Sequence, residues 1–337
     1  MSTTLGKGLA AKGSAPSRTP VVLLHDAAID EYISSLLLTV MPGIDLQGII
    51  LINADCLSDP AMQAASKLQQ FVGRTDIPIA LSRARGWNAF PWEYRGDCVN
   101  FNKIPSLQPY APHVITPPPD GEALLTLLLE NAITNNAPLT LLMTGPMTPL
   151  ITVLNANAAL AKGIGQVIWM GGAIHVPGNL DPNTVPPAVA NPHAEWNAFW
   201  DPYAVQEALG QLSNIHIFPL DISNSAPVST AFMSALQAQG KQYRYSQLAF
   251  EAYSLVLQQP FYRLWDVTAT CWLTRPDLYT PSTPMQLEID TWGFEQGWIR
   301  PLLKSGGSAK SQNVFLSFAD QAAFYQYVLQ LLATSGN

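Results

Sequence analysis

The sequence has few charged side chains, no basic cluster and no long apolar run. Charged residues make up only 12% of the 337 residues, and the formal net charge is −7. An acidic chain without clustered Lys and Arg is a poor match for a nucleic-acid-binding surface. No apolar run approaches the roughly 20 residues that a membrane-spanning helix needs. We therefore expect neither a nucleic-acid partner nor a membrane partner.

Cysteine is also scarce. Cys56, Cys98 and Cys271 are an odd number and have no CxxC spacing. This pattern predicts neither a disulfide framework nor a zinc site, and it is typical of reduced thiols in a cytoplasmic protein.

The first 19 residues differ in composition from the rest of the chain. They are rich in Ser, Thr, Gly and Ala and lack the apolar run of a signal peptide, so residues 1–19 are predicted to be a disordered tail. A transit peptide stays open as an alternative, because the segment carries Lys7, Lys12 and Arg18 and no acid. Residues 20–337 show no internal repeat and no linker, and we expect them to form a single domain.

Strand and helix signals alternate along the chain. Val21–Leu24 and Ile44–Ile52 are apolar strand signals, and between them Ile29–Val40 has apolar residues at helical spacing. This order, continued by later elements, predicts an α/β fold with a Rossmann-like, open, mostly parallel central sheet flanked by helices. Residues 87–110 interrupt the alternation with aromatic residues that show no clear period. They favour a binding loop over a packed surface loop.

The first strand runs directly into carboxylates. Asp26, Asp30 and Glu31 follow it within six positions, where α/β sheets place their ligands. Such close carboxylates repel one another unless a cation or protons neutralise them, and oxygen ligands suit Ca²⁺ or Mg²⁺. The alternative is a solvated loop in which Asp30 caps or opens a helix. This stretch alone does not decide between the two.

At this point the sequence resembles the nucleoside hydrolase family. The family's D-x-D-P-G-x-D-D cluster is matched by residues 24–31. Further matches follow in the family's order, from about residue 20 to about residue 275: Asp55, Thr144-Gly145-Pro146, Met170-Gly171-Gly172-Ala173, Gly178-Asn179, Glu195-Trp196-Asn197 and Trp265-Asp266.

Two features resemble the purine-preferring, inosine–adenosine–guanosine type of this family. Residues 90–95 read FPWEYR and are similar to its F-P-x-E-W-R loop. Trp265 stands where the inosine–uridine type has a histidine that protonates the leaving base. No other histidine is well placed to substitute, so the sequence shows no evident general acid.

The resemblance implies Ca²⁺-dependent hydrolysis of the N-glycosidic bond of purine ribonucleosides, giving ribose and free base. It implies that Asp26 is the general base on a metal-bound water, and that the base stacks on Trp265 and on Tyr94 or Trp92. The implied metal ligands are Asp26, Asp30 or Glu31, Asp266 and the carbonyl of Thr144. The other implied substrate-binding residues are Asp55, Met170, Asn179, Glu195, Trp196, Asn197 and Tyr262. A homodimer or homotetramer is expected.

Several residues depart from the family pattern. Glu31 replaces the second aspartate of its pair, Ala27-Ala28 replaces the glycine or asparagine of the turn, and Tyr94 replaces a tryptophan. These departures leave an alternative open, a catalytically impaired nucleoside- or ribose-binding protein on the same fold. An aspartate-nucleophile phosphatase ranks last, because that class needs a second aspartate where Ala28 stands. Seven polar site residues favour the enzyme: Asp26, Asp30, Asp55, Asn179, Glu195, Asn197 and Asp266.

Overall fold

The computed structural model describes residues 18–89, 94–113, 117–183, 185–188, 190–302 and 310–334. The strands in these ranges are β1 Thr19–His25, β2 Ile44–Leu51, β3 Ile79–Leu81, β4 Leu139–Thr144, β5 Ile164–Met170, β6 Ile215–Phe218, β7 Thr283–Ile289, β8 Ile299–Pro301 and β9 Ser311–Val314. The α-helices there are α1 Ile29–Val40, α2 Ser58–Val72, α3 Asp97–Phe101, α4 Gly121–Thr134, α5 Thr148–Ala156, α6 Trp196–Trp200, α7 Pro202–Gln211, α8 Leu220–Ser223, α9 Thr230–Gly240, α10 Arg244–Ser254, α11 Trp265–Trp272 and α12 Gln321–Leu332. Short 3₁₀ helices span Pro105–Leu107, Ala158–Gly163 and Pro276–Leu278.

The strands form one sheet in the order β3-β2-β1-β4-β5-β6-β9-β7-β8. All pairs from β3 to β9 in this order are parallel, and β7 pairs antiparallel with both β9 and β8. The predicted open, mostly parallel sheet is confirmed. The strand order reverses between β1 and β4, where His25 lies beside Thr144. Such a reversal opens a crevice at the carboxyl ends of the strands, which is where ligands bind in this class of sheet.

Side chains of β1 alternate between two apolar cores. Val21 and Leu23 belong to the core that also contains residues of α1, whereas Val22 and Leu24 belong to the core that contains residues of α4 and α5. All four are completely buried. Helices on both faces explain why this strand is apolar without interruption.

The element boundaries agree with the sequence in some places and differ in others. Helix α1 has the predicted bounds, and β1 begins at Thr19, inside the segment predicted to be a tail. The strand predicted at 314–318 lies instead at Ser311–Val314. The remainder of the predicted tail, residues 1–17, lies outside the described residues. Within the described ranges, no helix has both the length and the apolar character to cross a membrane.

Candidate active site

A cavity of about 390 Å³ lies at the carboxyl edge of the sheet, beside the strand-order reversal. This volume is typical of small-molecule sites. It brings together most of the predicted site residues: Asp26, Glu31, Asp55, Tyr94, Thr144, Met170, Asn179, Glu195, Trp196, Asn197, Tyr262, Trp265 and Asp266. Trp92 lies outside the described residues, and Asp30 is not part of the cavity wall.

Buried carboxyl groups form one end of the cavity. Asp26, Glu31 and Asp266 are each at most 5% exposed. Asp26 and Glu31 are hydrogen-bonded to each other, which requires a proton between them. Burial raises the pKa of Asp26, and it raises the pKa values of Glu31 and Asp266 well above their usual range, helped by the neighbouring negative charges. The cluster therefore holds protons that a cation could replace.

Two observations bear on whether a cation fits this cluster. Oε2 of Glu31 is buried and has no hydrogen-bond partner among the described residues, which leaves an oxygen available to a ligand. In the described part of the chain, however, no three His, Cys, Asp or Glu side chains are already arranged as a metal site. The chemistry of the oxygen donors suits Ca²⁺, but the carboxylates must lose protons and converge to bind it.

The backbone around Asp26 is unusual. Ala27 has a φ of +70°, in the left-handed region that costs a non-glycine residue about 1 kcal/mol. This turn carries the chain from Asp26 into α1, so that Asp26 and Glu31 both line the cavity. At the end of β4, a Cβ on Gly145 would lie 3.3 Å from the backbone nitrogen of Asp26. The absence of a side chain there lets β4 approach Asp26 closely.

Asp30 binds the beginning of α11. Its Oδ2 accepts hydrogen bonds from the backbone N–H groups of Asp266 at 2.7 Å and Val267 at 2.9 Å, and its Oδ1 accepts one from the hydroxyl of Tyr253. Burial raises the pKa of Asp30 to about 6, although these hydrogen bonds oppose the shift. Both oxygens of Asp30 thus already accept hydrogen bonds, whereas Oε2 of Glu31 has none from the described residues.

Replacing Asp30 with alanine is expected to lower the free energy of unfolding by about 3 kcal/mol, because two buried N–H groups and one hydroxyl lose a charged acceptor. Urea denaturation would measure the loss. The control is Asp59→Ala, an exposed aspartate in the first turn of α2, for which near-normal stability is expected. Equal stability of the two variants would show that Asp30 does not hold α11 in place.

A polar wall forms the second side of the cavity. Glu195 caps α6, with Oε1 accepting the N–H of Asn197 at 2.9 Å and Oε2 accepting the N–H of Gly172 at 2.8 Å. Nδ2 of Asn197 donates to the carbonyl of Met170 at 3.0 Å, and Oδ1 of Asn179 accepts the N–H of Trp196 at 3.2 Å. Burial raises the pKa of Glu195 to about 7. These contacts hold the polar wall in a fixed arrangement.

Aromatic rings form the remaining side. Tyr262 and Trp265 meet edge to face with ring centroids 4.7 Å apart, and Tyr94 meets Phe261 in the same way at 6.1 Å. Nε1 of Trp265 has no hydrogen-bond partner in the part of the chain that the structure describes. The cavity thus has an acidic end, a polar wall and an aromatic wall, as a ligand with a polyol and a flat ring would need.

The sequence did not mark every residue of the cavity wall. Asp97, Asp181, Asn224, Gln259, Phe261 and Arg263 also line it. Two of these residues had a signal in the sequence. Phe261 directly precedes the predicted site residue Tyr262, and Asp97 lies in the irregular aromatic segment that contains Tyr94. Nothing in the sequence around Asn224 points to a site.

A family model described as inosine-uridine preferring nucleoside hydrolase matches residues 21–326. The chain belongs to the nucleoside hydrolase family. It is therefore an N-glycosidase that hydrolyses the N-glycosidic bond of ribonucleosides. The resemblance of the sequence to this family is confirmed.

Relatives of known name match over most of their length. The chain is 24% identical over 317 residues to the non-specific ribonucleoside hydrolase RihC of Escherichia coli strain SE11, covering 94% of this chain and 99% of that one. The crystal structure of the inosine-uridine preferring nucleoside hydrolase from Bacillus anthracis superposes with a TM-score of 0.80 and 27% identity, over 94% and 99% of the two chains. The purine-preferring ribonucleoside hydrolase from Gardnerella vaginalis shares the fold, with a TM-score of 0.76 and 16% identity over 94% and 98% of the chains.

Proposed function

We propose that this nucleoside hydrolase cleaves purine ribonucleosides with the help of Ca²⁺, and that Asp26 is its general base. The observation that carries the proposal is the cavity itself. Its acidic end holds Asp26 and the unpartnered Oε2 of Glu31, and its aromatic wall holds Trp265. We thus assign water activation and base binding to the same cavity.

Four groups would hold the ion: the carboxylates of Asp26, Glu31 and Asp266, and the carbonyl of Thr144. Ca²⁺ takes about 6 to 8 oxygens, so water and substrate hydroxyls would complete the set. Glu31 is one methylene longer than the family's aspartate, and its free Oε2 supports its role here. When bound, the ion would orient the attacking water and make it easier to deprotonate.

Side chains of the cavity carry out proton transfer, charge stabilisation and ribose binding. Asp26 accepts the proton of the water that attacks the anomeric carbon. The positive charge that develops on the ribose, as in other glycoside hydrolysis, lies near buried carboxylates that stabilise it. Nδ2 of Asn179 and Oδ1 of Asn197 have no partner among the described residues and are available to ribose hydroxyls, beside Glu195 and Met170.

Preference for purines depends on the aromatic wall. The named relatives differ in base preference: one is inosine-uridine preferring and another is purine-preferring. Trp265 directly precedes Asp266, is half-buried in the cavity wall and presents a flat ring held at its edge by Tyr262. A bicyclic purine offers more stacking area to this ring than a pyrimidine does.

Replacing Trp265 with alanine is expected to lower kcat/KM for inosine by about 10- to 100-fold, because one base–aromatic stacking contact contributes roughly 1–3 kcal/mol. 4-Nitrophenyl riboside, whose leaving group needs no activation, should lose much less. Steady-state assays on inosine, uridine and the nitrophenyl substrate would measure this. The control is Trp292→Ala, which removes a tryptophan that is 80% exposed. Equal losses on all three substrates would show that Trp265 only packs.

We also propose a cellular location and an oligomeric state for the enzyme. All three cysteines are free and buried, in keeping with the proposed cytoplasmic location. We propose a homodimer or homotetramer, with a small-molecule purine nucleoside as the partner, and no nucleic-acid or membrane partner.

A further inference from the structure

Asp97 lines the cavity but has no role in the mechanism described so far. It is the first residue of α3, it is 9% exposed, and its backbone N–H donates to the carbonyl of Tyr94 at 3.1 Å. This turn places the Asp97 carboxyl on the same short segment as Tyr94. It therefore lies with the aromatic wall of the cavity, where the nucleobase is expected.

The Asp97 carboxyl lies largely buried in the cavity wall. Within the described part of the chain, no N–H or O–H group donates to it and no cation pairs with it. The nearby guanidinium of Arg95 instead donates to the carbonyl of Cys56 at 2.8 Å and to Oδ1 of Asn53 at 2.6 Å. A buried, unpaired carboxyl prefers its neutral form, which is a proton donor.

Four titratable groups lie close enough to Asp97 for its negative charge to raise their pKa values. They come from four elements: Asp55 after β2, Tyr32 on α1, Tyr262 before α11 and Cys98 on α3. Each is neutral or negative, so none stabilises the Asp97 carboxylate. Burial raises the pKa of Asp97 to about 7, which keeps a large share of the group protonated near neutral pH.

We propose that Asp97 is the general acid that protonates the leaving purine. The proposal rests on the proposed function, because it assigns the second half of the same reaction. Two carboxyl groups of one cavity would then act in turn on the same substrate. Asp26, in the acidic cluster, takes a proton from water, and Asp97, beside the aromatic rings, gives one to the base.

The step balances in atoms and charge. The bond between the anomeric carbon and the purine nitrogen breaks, and its electron pair goes to the purine. The Asp97 proton passes to a ring nitrogen of the purine, so that the base leaves neutral and Asp97 becomes a carboxylate. Water supplies the hydroxyl of ribose, and its second proton goes to Asp26. Asp26 then returns that proton to solvent, and Asp97 regains one after product release.

Asp97→Asn tests this role, because it keeps the shape and removes the acid. The expected loss in kcat on inosine is about 100-fold or more, with 4-nitrophenyl riboside nearly unaffected. The fall in inosine hydrolysis above pH 7 in the wild type should disappear in the variant. Asp97→Glu keeps a carboxyl and should recover part of the activity on inosine. Asp59→Asn, exposed in the first turn of α2, is the matched control.

The outcomes separate the two proposals. Suppose that the wild type hydrolyses inosine, and that Asp97→Asn loses activity equally on both substrates or on neither. The acid role would then be wrong, and the proposed function would stand. A wild type that hydrolyses neither substrate in the presence of Ca²⁺ would overturn both. A thermal melt of each variant shows whether it is folded. If Asp97→Glu keeps more activity on inosine than Asp97→Asn does, the result supports an acid role over a structural role.

Discussion

Replacing Asp26 with asparagine is expected to lower kcat on inosine by about 1,000- to 10,000-fold. The amide keeps the size of the side chain beside Gly145 but cannot accept the proton of the attacking water. The substitution also removes one carboxylate from the acidic end of the cavity, which lowers the affinity for a cation. Steady-state release of ribose would measure the loss, and a thermal melt would verify folding.

Asp221→Asn is the matched control for this variant. Asp221 also follows a strand at the carboxyl edge, but it accepts hydrogen bonds from the backbone N–H groups of Ile174 and His175 and does not line the cavity. Its activity should stay near that of the wild type. If Asp26→Asn kept activity within a factor of about ten, Asp26 could not be the general base.

Removing bound metal with a chelator is expected to abolish turnover, and adding Ca²⁺ is expected to restore it. Mg²⁺ should restore less, because it demands near-ideal octahedral geometry that a glutamate-containing cluster would not easily supply. Elemental analysis before and after chelation would show which ion leaves. Full activity in a protein verified to be free of metal would contradict the site formed by Asp26, Glu31, Asp266 and Thr144.

The same ion should stabilise the fold more at pH 8 than at pH 6.5. Without the ion, the pKa values of Glu31 and Asp266 are higher in the folded protein than in the unfolded chain, so the folded state binds more protons. The folded protein therefore loses stability as the pH rises and these two groups lose their protons. Ca²⁺ replaces those protons, and its contribution grows as they leave. His25, whose pKa burial lowers to about 3, weakens the fold chiefly below pH 6.5. Thermal melts with and without Ca²⁺ at both pH values would measure this, and an equal gain at both would argue against a proton-linked ion site.

Local sequence indicated the position of the site, although the carboxylate stretch by itself did not decide between a ligand site and a solvated loop. The apolar run Val21–Leu24 and the carboxylates after it mark the end of a buried strand, and strand order then places this end at the crevice. The bounds of α1 follow from its apolar spacing and from the Pro42-Gly43 sequence that stops it. These features depend on residues close together in the chain.

The roles of individual carboxyl groups could not be predicted in this way. Asp30 and Glu31 are neighbours in sequence, yet only Glu31 lines the cavity. The difference arises because Asp30 contacts Tyr253 and Asp266, which lie 223 and 236 residues further along the chain. Asp97 was missed for a similar reason, since its burial depends on packing against distant segments. Trp92 lies outside the described residues, so its predicted contact with the base stays a prediction.

The central claim is tested most directly by incubating purified protein and Ca²⁺ with inosine and, separately, with uridine, and by quantifying ribose and free base. We expect ribose and hypoxanthine in equal amounts from inosine, and much slower release from uridine. Binding of inosine without release of either product would contradict the claim. It would mean that Glu31 and the Ala27-Ala28 turn have disabled the site, and that the protein binds nucleosides without cleaving them.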